Sequence, residues 1–383
     1  MIRIGVGLGF ARNGIKNERH SMTADYAKAI KEAMHRAQEQ IGHVNLLITG
    51  KTGVGKSTLV NAIFGEDLAI TGQGRPVTTE TREYSKKGYP LSLFDSRGLE
   101  IVAYKEILAH LEGFIRGRSL DKDPKQHIHV AWLCIDEGSR RIEDAERRLV
   151  EMLSSCGVPV IGVVTKAQAD QGFRQNVVDE LPDLKNVCRV RAIAASLDEG
   201  AILPAIGLED LVKLTIEVVP EAHRIAFAAA QKVSAAEKRA AARKIVLAAA
   251  ASAGAVGGTP IPFSDALLIS PIQLGMLAAI TRVYELRMSD SLLKMMVSGV
   301  LTAGGGVLVG RTIVTGLLKL IPGANIAGSI ISAATAAALT TGAGEAYIAT
   351  LHHLFEKNAL SNISEAEILD AFNAKLRAGR PVI

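Results

Sequence analysis

Cysteine is scarce in this chain. Cys134, Cys156 and Cys188 are the only three. They are odd in number and lack metal-ligand spacing, so a disulfide framework and a zinc module are excluded, and a reducing, cytosolic setting is expected. A secretory leader is also missing from the pattern. Met1 to Phe10 is short, broken by glycines and not followed by a cleavage-like site. No large excess of one charge is present. A net charge of +5 and a pI near 9.0 permit anionic partners such as phospholipid or RNA but demand neither. What is abundant is apolar: 48% of residues, with a mean hydropathy of +0.21. Much of that excess is Ala, Gly, Val, Leu and Ile in the second half. At 383 residues the chain can bury two or three cores, so more than one domain is expected.

The most informative stretch is Gly50-Lys51-Thr52-Gly53-Val54-Gly55-Lys56-Ser57-Thr58. A glycine, four residues, then Gly-Lys-Ser is the pattern that cradles phosphate. His43 to Thr49 before it reads as a buried strand, and Ser57 to Phe64 after it as the start of a helix. The glycines let the loop curl so that backbone N–H groups face phosphate oxygens, and the helix adds its positive N-terminal end. In this reading Lys56 reaches the β- and γ-phosphates and the Ser57 hydroxyl ligates Mg²⁺.

The rest of the first half is consistent with that loop. Thr23 to Ile41 has helical spacing and is expected to cover an edge of the nucleotide domain. Between Gly65 and Lys87 a polar stretch holds Thr78 and Thr79. A loop threonine there can complete the Mg²⁺ shell and sense the γ-phosphate, and the sequence does not choose between the two. Tyr84 to Lys86 and Tyr89 to Phe94 read as paired strands. The second ends in Asp95-Ser96-Arg97-Gly98, where the aspartate can hold Mg²⁺ through water and Gly98 can offer its N–H to the γ-phosphate. His127 to Ile135, Val158 to Val164 and Val190 to Ala195 read as further strands, with a charged amphipathic helix over Ile142 to Leu153. Alternation of strands and helices predicts an α/β fold, a mostly parallel sheet with ligands at its carboxyl edge.

In this order the motifs resemble a GTPase of the translation-factor-like class, near its Era-like and interferon-inducible-GTPase-like members. The resemblance covers 42 to about 200. It implies GTP/GDP and Mg²⁺ as ligands, and a homodimer through the G domain is one partner it leaves open. It also implies that Thr165-Lys166-Ala167-Gln168 and Ala194-Ala195 flank the base. Two departures stand out. The family's base-reading motif ends in aspartate, and here that position is Gln168, an uncharged amide that can accept one bond. The residue after Gly98 is Leu99, where Ras-like members carry a water-orienting glutamine. Slow intrinsic turnover is therefore expected. The potassium-binding asparagine of some relatives would fall at Gly53 and is absent.

From about Pro220 the composition changes. Ala222 to Lys244 is alanine-rich and charged, with a capping box at Ser234 and Glu237. Long uncharged runs follow, over Ile245 to Ser264, Ala266 to Thr281, Met295 to Gly310 and Leu320 to Gly344. The last carries small residues every four positions: Ala324, Gly328, Ser332, Ala336, Thr340 and Gly344. The region reads either as a compact helical bundle or as a membrane-contacting one, since about 20 apolar residues span a bilayer but Ala, Gly, Ser and Thr insert poorly. Asp265 is expected to cap a helix. Residues from about Ala240 to Phe355 resemble a hydrophobic domain of unknown function of the DUF697 type. That resemblance implies a bacterial source and frequent membrane association, hence a lipid or membrane-protein partner and a place in the cytoplasm or at the inner membrane.

The expected layout is a segment over 1–41, a G domain over 42–219 and an all-α domain over 220–383. The expected function is a GTP-hydrolysing switch. Its rivals are an Era-like ribosome-assembly GTPase and a nucleotide-binding membrane scaffold with little turnover. A nucleic-acid partner is not expected, because no RNA-binding module is visible in so apolar a second half.

Overall fold

The computed structural model describes residues 32, 35–37, 39–65, 75–76, 81–86, 88–96, 104–196, 200–257, 265–286, 289, 292, 295–296, 333–360 and 362–378. It divides into two compact units, one over Ile41–Ala241 and one over Met1–Gln40 with Ala242–Ile383. Thr78, Thr79, Gly98 and Leu99 lie outside the described residues, as do Ala324, Gly328 and Ser332 of the small-residue series and most of the expected helix over 23–41.

The first unit is α/β. Its strands are β1 (Val44–Gly50), β2 (Arg75–Pro76), β3 (Thr81–Ser85), β4 (Leu91–Ser96), β5 (Val130–Asp136), β6 (Val160–Thr165) and β7 (Asn186–Arg189). They form one sheet in the order β2-β3-β4-β1-β5-β6-β7. The pairs from β4 through β7 are parallel, and β2 and β3 are antiparallel additions at one edge. Parallel strands need crossovers, and helices supply them. These are α1 (Lys56–Phe64), α2 (Tyr104–Ser119), α3 (Asp144–Ser155) and α4 (Phe173–Glu180); α5 (Leu208–Val218) and α6 (Glu221–Ala230) follow the last strand of the sheet.

Alternation along the strands sorts the core into two faces. Leu47, Ala131, Leu133 and Ile135 join Ile115 of α2, Leu149 of α3 and Val177 of α4 in one cluster. Trp132, between Ala131 and Leu133, points the other way. Its ring stacks on Phe64 of α1, meets Phe227 of α6 edge-on and donates its Nε1–H to Thr215 Oγ1 of α5 at 3.0 Å. Helices thus cover both faces, as a buried parallel sheet requires.

Two sequence expectations shift. The last sheet strand is Asn186–Arg189, not Val190 to Ala195. The chain turns out of the sheet at Arg191, whose buried guanidinium donates to Ala167 O (2.7 Å) and Pro204 O (2.5 Å). Ala195–Ser196 instead forms β8, which pairs with β9 (Ile202–Leu203) in a small ribbon. Likewise, the helical stretch expected over 222–244 is broken. α6 ends at Ala230, and α7 (Ala235–Gly257) starts after a turn held by the buried Gln231. Its Oε1 accepts from Val233 N and Ser234 N, and its amide donates to Ala228 O and Ser234 O. A side chain that satisfies four backbone groups makes a break stable without glycine or proline.

The second unit is helical. It holds α8 (Asp265–Val283), α9 (Ala333–Glu356), α10 (Glu365–Ala378) and much of α7. Small residues let α9 lie close to α7 and α8. A Cβ on Gly344 would stand 2.5 Å from Val246 Cγ2 and 3.0 Å from Met276 Sδ. Thr281 and Tyr347 share a buried hydrogen bond of 2.8 Å, and Tyr347 meets Phe372 of α10 edge-on. Among the described residues no helix is long and apolar enough to cross a membrane.

Candidate nucleotide site

The site lies at the carboxyl edge of β1, β4, β5 and β6, where loops meet above a parallel sheet. β1 ends at Gly50, which must be glycine for two reasons. Its φ is +135°, and a Cβ there would stand 2.3 Å from Cys134 O of β5. Lys51 to Gly55 then arch over to α1, with Val54 tucked in beneath and its N–H 3.4 Å from Lys51 O. Gly55 is left-handed and caps α1 with no side chain. The first-turn N–H groups of Lys56, Ser57 and Thr58 have no intrahelical acceptor and receive none from the cap. They form the positive end of the helix. Beside Gly53 and Gly55 a Cβ would meet nothing within 4 Å among the described residues.

Three contacts brace the arch. Lys56 Nζ lies across it, donating to Gly50 O (2.7 Å) and Lys51 O (3.0 Å). Thr165, 4% exposed, directs its hydroxyl at Val54 O (2.7 Å) and Ile135 O (3.1 Å). Lys51 is ion-paired with Glu143 at the start of α3. Glu143 and Glu146 there cap one another's backbone in a capping box.

Asp95 stands in register with Ile48 of β1, one strand over from the loop. Its neighbour Ser96 donates to Thr49 Oγ1 at 2.9 Å, tying β4 to β1. Asp95 Oδ1 is buried with no hydrogen-bond partner. Burial pushes its carboxyl up, and the positive charges of Lys56 and Arg82 oppose that. An unpartnered carboxylate oxygen and the exposed Ser57 hydroxyl are hard-oxygen donors of the kind that suits Mg²⁺.

The segment after β6 is held from three sides. Lys166 is left-handed (φ 52°) and its Nζ pairs with Asp136 Oδ2 at 2.7 Å. Ala167 is buried, donates to Val190 O at 3.2 Å and accepts from Arg191. Gln168 is exposed, and its backbone N–H donates to Glu137 Oε2. Glu137, 1% exposed, uses its other oxygen to accept from Arg189 Nε at 2.7 Å. Burial pushes the Glu137 carboxyl up, but the bonds from Arg189 and Gln168 more than offset it, leaving it below the usual carboxylate range. Asp170 accepts from Arg174 N at the start of α4 and lies 3.5 Å from Arg189 Nε. Ala194 is exposed, and Ala195 pairs with Leu203.

The structure thus brings Gly50 to Thr58, Asp95 and Thr165 to one place. Lys166 and Gln168 lie on the loop after β6, Ala194 on the loop after β7 and Ala195 at the start of β8. Glu137, Glu143, Arg189 and Arg191 escaped the sequence reading. The acidic pair Asp136-Glu137 at the end of a buried strand was the one available signal for the first of them. No cluster of His, Cys, Asp or Glu able to hold a metal by itself occurs among the described residues, so a metal here would depend on Ser57, Asp95 and its ligand's own oxygens.

A strand, a glycine arch, a lysine and a helix N-terminus in this arrangement define a P-loop α/β domain. Comparison with known proteins agrees: residues 45–166 match the family model described as 50S ribosome-binding GTPase, and residues 221–370 match a domain of unknown function (DUF697). The chain is similar to the GTPase Era of Alkaliphilus metalliredigens (strain QYMF), 26% identical over 181 residues, covering 45% of this chain and 55% of the relative. To the GTPase Era of Xanthomonas oryzae pv. oryzae (strain MAFF 311018) it is 32% identical over 181 residues, covering 46% and 56%. It therefore spans about half the length of the curated relatives it matches. Among solved structures it is similar to Toc33 from Arabidopsis thaliana in complex with GDP and Mg²⁺, with a TM-score of 0.33 and 17% identity over 51% of this chain and 92% of that one. For Era in complex with MgGDPNP and a segment of 16S ribosomal RNA the TM-score is 0.30, with 16% identity over 47% and 57%.

Proposed function

We propose that the chain is a GTP-binding switch that hydrolyses GTP to GDP and phosphate with Mg²⁺ and couples nucleotide state to its helical region. The observation that carries this is the braced arch with Lys56 across it and the buried, unpartnered Asp95 Oδ1 beside it. On binding, Lys56 exchanges the carbonyls of Gly50 and Lys51 for phosphate oxygens. The N–H groups from Gly53 to Thr58 hold the β-phosphate end, while Lys51 stays anchored on Glu143. Ser57 and Asp95 would hold Mg²⁺, which supplies charge neutralisation at the phosphate oxygens. Thr78 or Thr79 and Gly98 sense the γ-phosphate. Thr165 holds the loop from below, Lys166 flanks the base, Gln168 meets its edge, and Ala194-Ala195 close the far side. With Leu99 where a water-orienting group would be, turnover is slow and rises when a partner or a second copy completes the site.

The helical region would act as the effector, toward lipid or a membrane-bound protein. Its uncharged runs beside Arg239, Arg243 and Lys244 support this. Some basic charge there is already engaged: Arg243 pairs with Glu345 at 3.2 Å, and Lys238 is buried with its Nζ on Ala229 O.

Multiple-turnover phosphate release tests the reading. Wild type should release phosphate from GTP slowly, faster at higher protein concentration or with anionic vesicles. Lys56→Ala should lose roughly a hundredfold in nucleotide affinity by calorimetry, since it removes a charge-assisted contact. A Lys56→Ala protein that binds GTP like wild type would overturn the assignment.

A further inference from the structure

The phosphate end of the site and the loop after β6 are supported by different residues. The arch rests on Lys56, Thr165 and the Lys51–Glu143 pair. Gln168 rests on Glu137. That one buried carboxylate joins two loops and a strand end: its own loop after β5, the one after β6 through the Gln168 N–H, and the end of β7 through Arg189 Nε. No neighbouring acid can replace it. Asp136 already accepts from Gly138 N at 2.9 Å and pairs with Lys166. Asp170 already accepts from Arg174 N in the first turn of α4 and stands farther from Arg189, at 3.5 Å. Arg189 depends on this partner too, since its Nη2 is buried without a hydrogen bond.

We infer that Glu137 is the positioning residue of the base end of the site, fixing Gln168 against a purine without touching the nucleotide. The inference rests on the reading above, in which Gln168 meets the base. Its physical content is a separation of effects. Losing the carboxylate leaves the Gln168 N–H and Arg189 without their shared acceptor, so the loop after β6 loosens. The arch keeps every brace it has. Base-dependent affinity should therefore fall while phosphate affinity holds.

Glu137→Gln tests this, because it is nearly isosteric and removes the charge. The full chain, wild type and variant, is titrated with GDP and with inorganic tripolyphosphate, both with Mg²⁺. GDP should bind about tenfold more weakly to the variant, the loss of one charge-assisted contact, and tripolyphosphate should bind as to wild type. Equal losses for the two probes, or no loss for either, would overturn the inference. A role in general stability would not separate a nucleotide from its bare phosphate chain. Emission from Trp132, the single tryptophan and fully buried, reports whether the variant has folded. Should it not fold, Arg189→Lys decides. It keeps the charge but loses the guanidinium geometry, and should show a smaller loss confined to GDP; unchanged GDP affinity would overturn the inference. The two readings fail differently. Wild type that binds neither probe sinks the nucleotide reading and this inference together, whereas wild-type binding with indifferent variants sinks only the role of Glu137.

Discussion

The two units hold themselves together by different means, and a glycine in each shows how. Gly50 brings backbone against backbone, its missing Cβ 2.3 Å from a carbonyl oxygen of β5. Gly344 brings a helix against the ends of side chains, Val246 Cγ2 and Met276 Sδ. Polar groups follow the same division. In the sheet unit buried Thr49, Asn45, Thr165, Glu137 and His129 each pair with a group far off in sequence and so set where strand ends and loops lie. In the helical unit Thr281 and Tyr347 form one such pair, while Gln273 Oε1 and Thr340 Oγ1 are buried without partners. Directional bonds specify one arrangement, while small-residue packing specifies closeness and tolerates adjustment. A site needing fixed loops is therefore better supported by the sheet unit, even though Asn61 Oδ1, Thr81 Oγ1 and Arg189 Nη2 there are, like Asp95 Oδ1, buried without a hydrogen bond.

The largest test of this contrast is the same substitution in both units. Gly50→Ala sets a Cβ against a carbonyl that cannot turn aside, at a φ that L-residues avoid, and should cost about 3 kcal/mol or more. Gly344→Ala meets side chains that can shift and should cost about 1–3 kcal/mol. Because Trp132 sits in the sheet unit, its emission should register a large fall in midpoint for Gly50→Ala and little for Gly344→Ala, whose loss would appear in far-UV circular dichroism. Equal shifts of the Trp132 transition would break the comparison.

Acid should also act on the sheet unit. His129 accepts the Asn45 N–H at Nδ1 (2.8 Å) and so must donate from Nε2 to Pro124 O (3.0 Å), which makes it neutral. His223 stacks on it at 3.6 Å. Burial, then the nearby His223, holds His129 down to about 4, with the Pro124 bond opposing and His43 and His127 adding to the shift. Burial lowers His43 as well, with Glu83 opposing and His223, Arg118 and Lys125 adding. The unfolded chain takes up these protons first, near the ordinary value of 6.5. Stability is thus complete above that value and falls with pH down toward 4. The Trp132 midpoint should drop by several degrees between pH 7.5 and 5. His129→Asn, which keeps an acceptor for Asn45, should flatten that dependence; an unchanged slope would mean that His129 does not carry it.

The smallest structural effect is expected at the site itself. Gln168→Asp should move neither unit's transition, yet raise the preference for GTP over ATP by ~1–3 kcal/mol through a charge-assisted pair with the guanine edge. Paired titrations with the two nucleotides measure it, and an unchanged ratio would show that residue 168 does not meet the base.

The local pieces were legible in the residues. The spacing of Gly50, Gly55, Lys56 and Ser57 dictates an arch running into a helix, because the geometry is complete within nine residues. Alternating apolar runs dictated β1, β4, β5 and β6, hence the parallel sheet and Asp95 at a strand end. Gln168 and Leu99 were visible as departures for the same local reason. Which distant groups meet follows from the folded packing. Thr165 lies under Val54, 111 residues away, and Glu137 meets Arg189 across 52 residues. His43, Asn45, His129 and His223 converge where β1, β5 and α6 begin. Chain reversal at Arg191 and the break at Gln231 were hidden too, since each depends on a side chain finding backbone carbonyls or N–H groups that no periodicity announces. Periodicity reports which face of an element is buried; the partners across that face follow from strand order and register, which are set by the packing of the whole sheet.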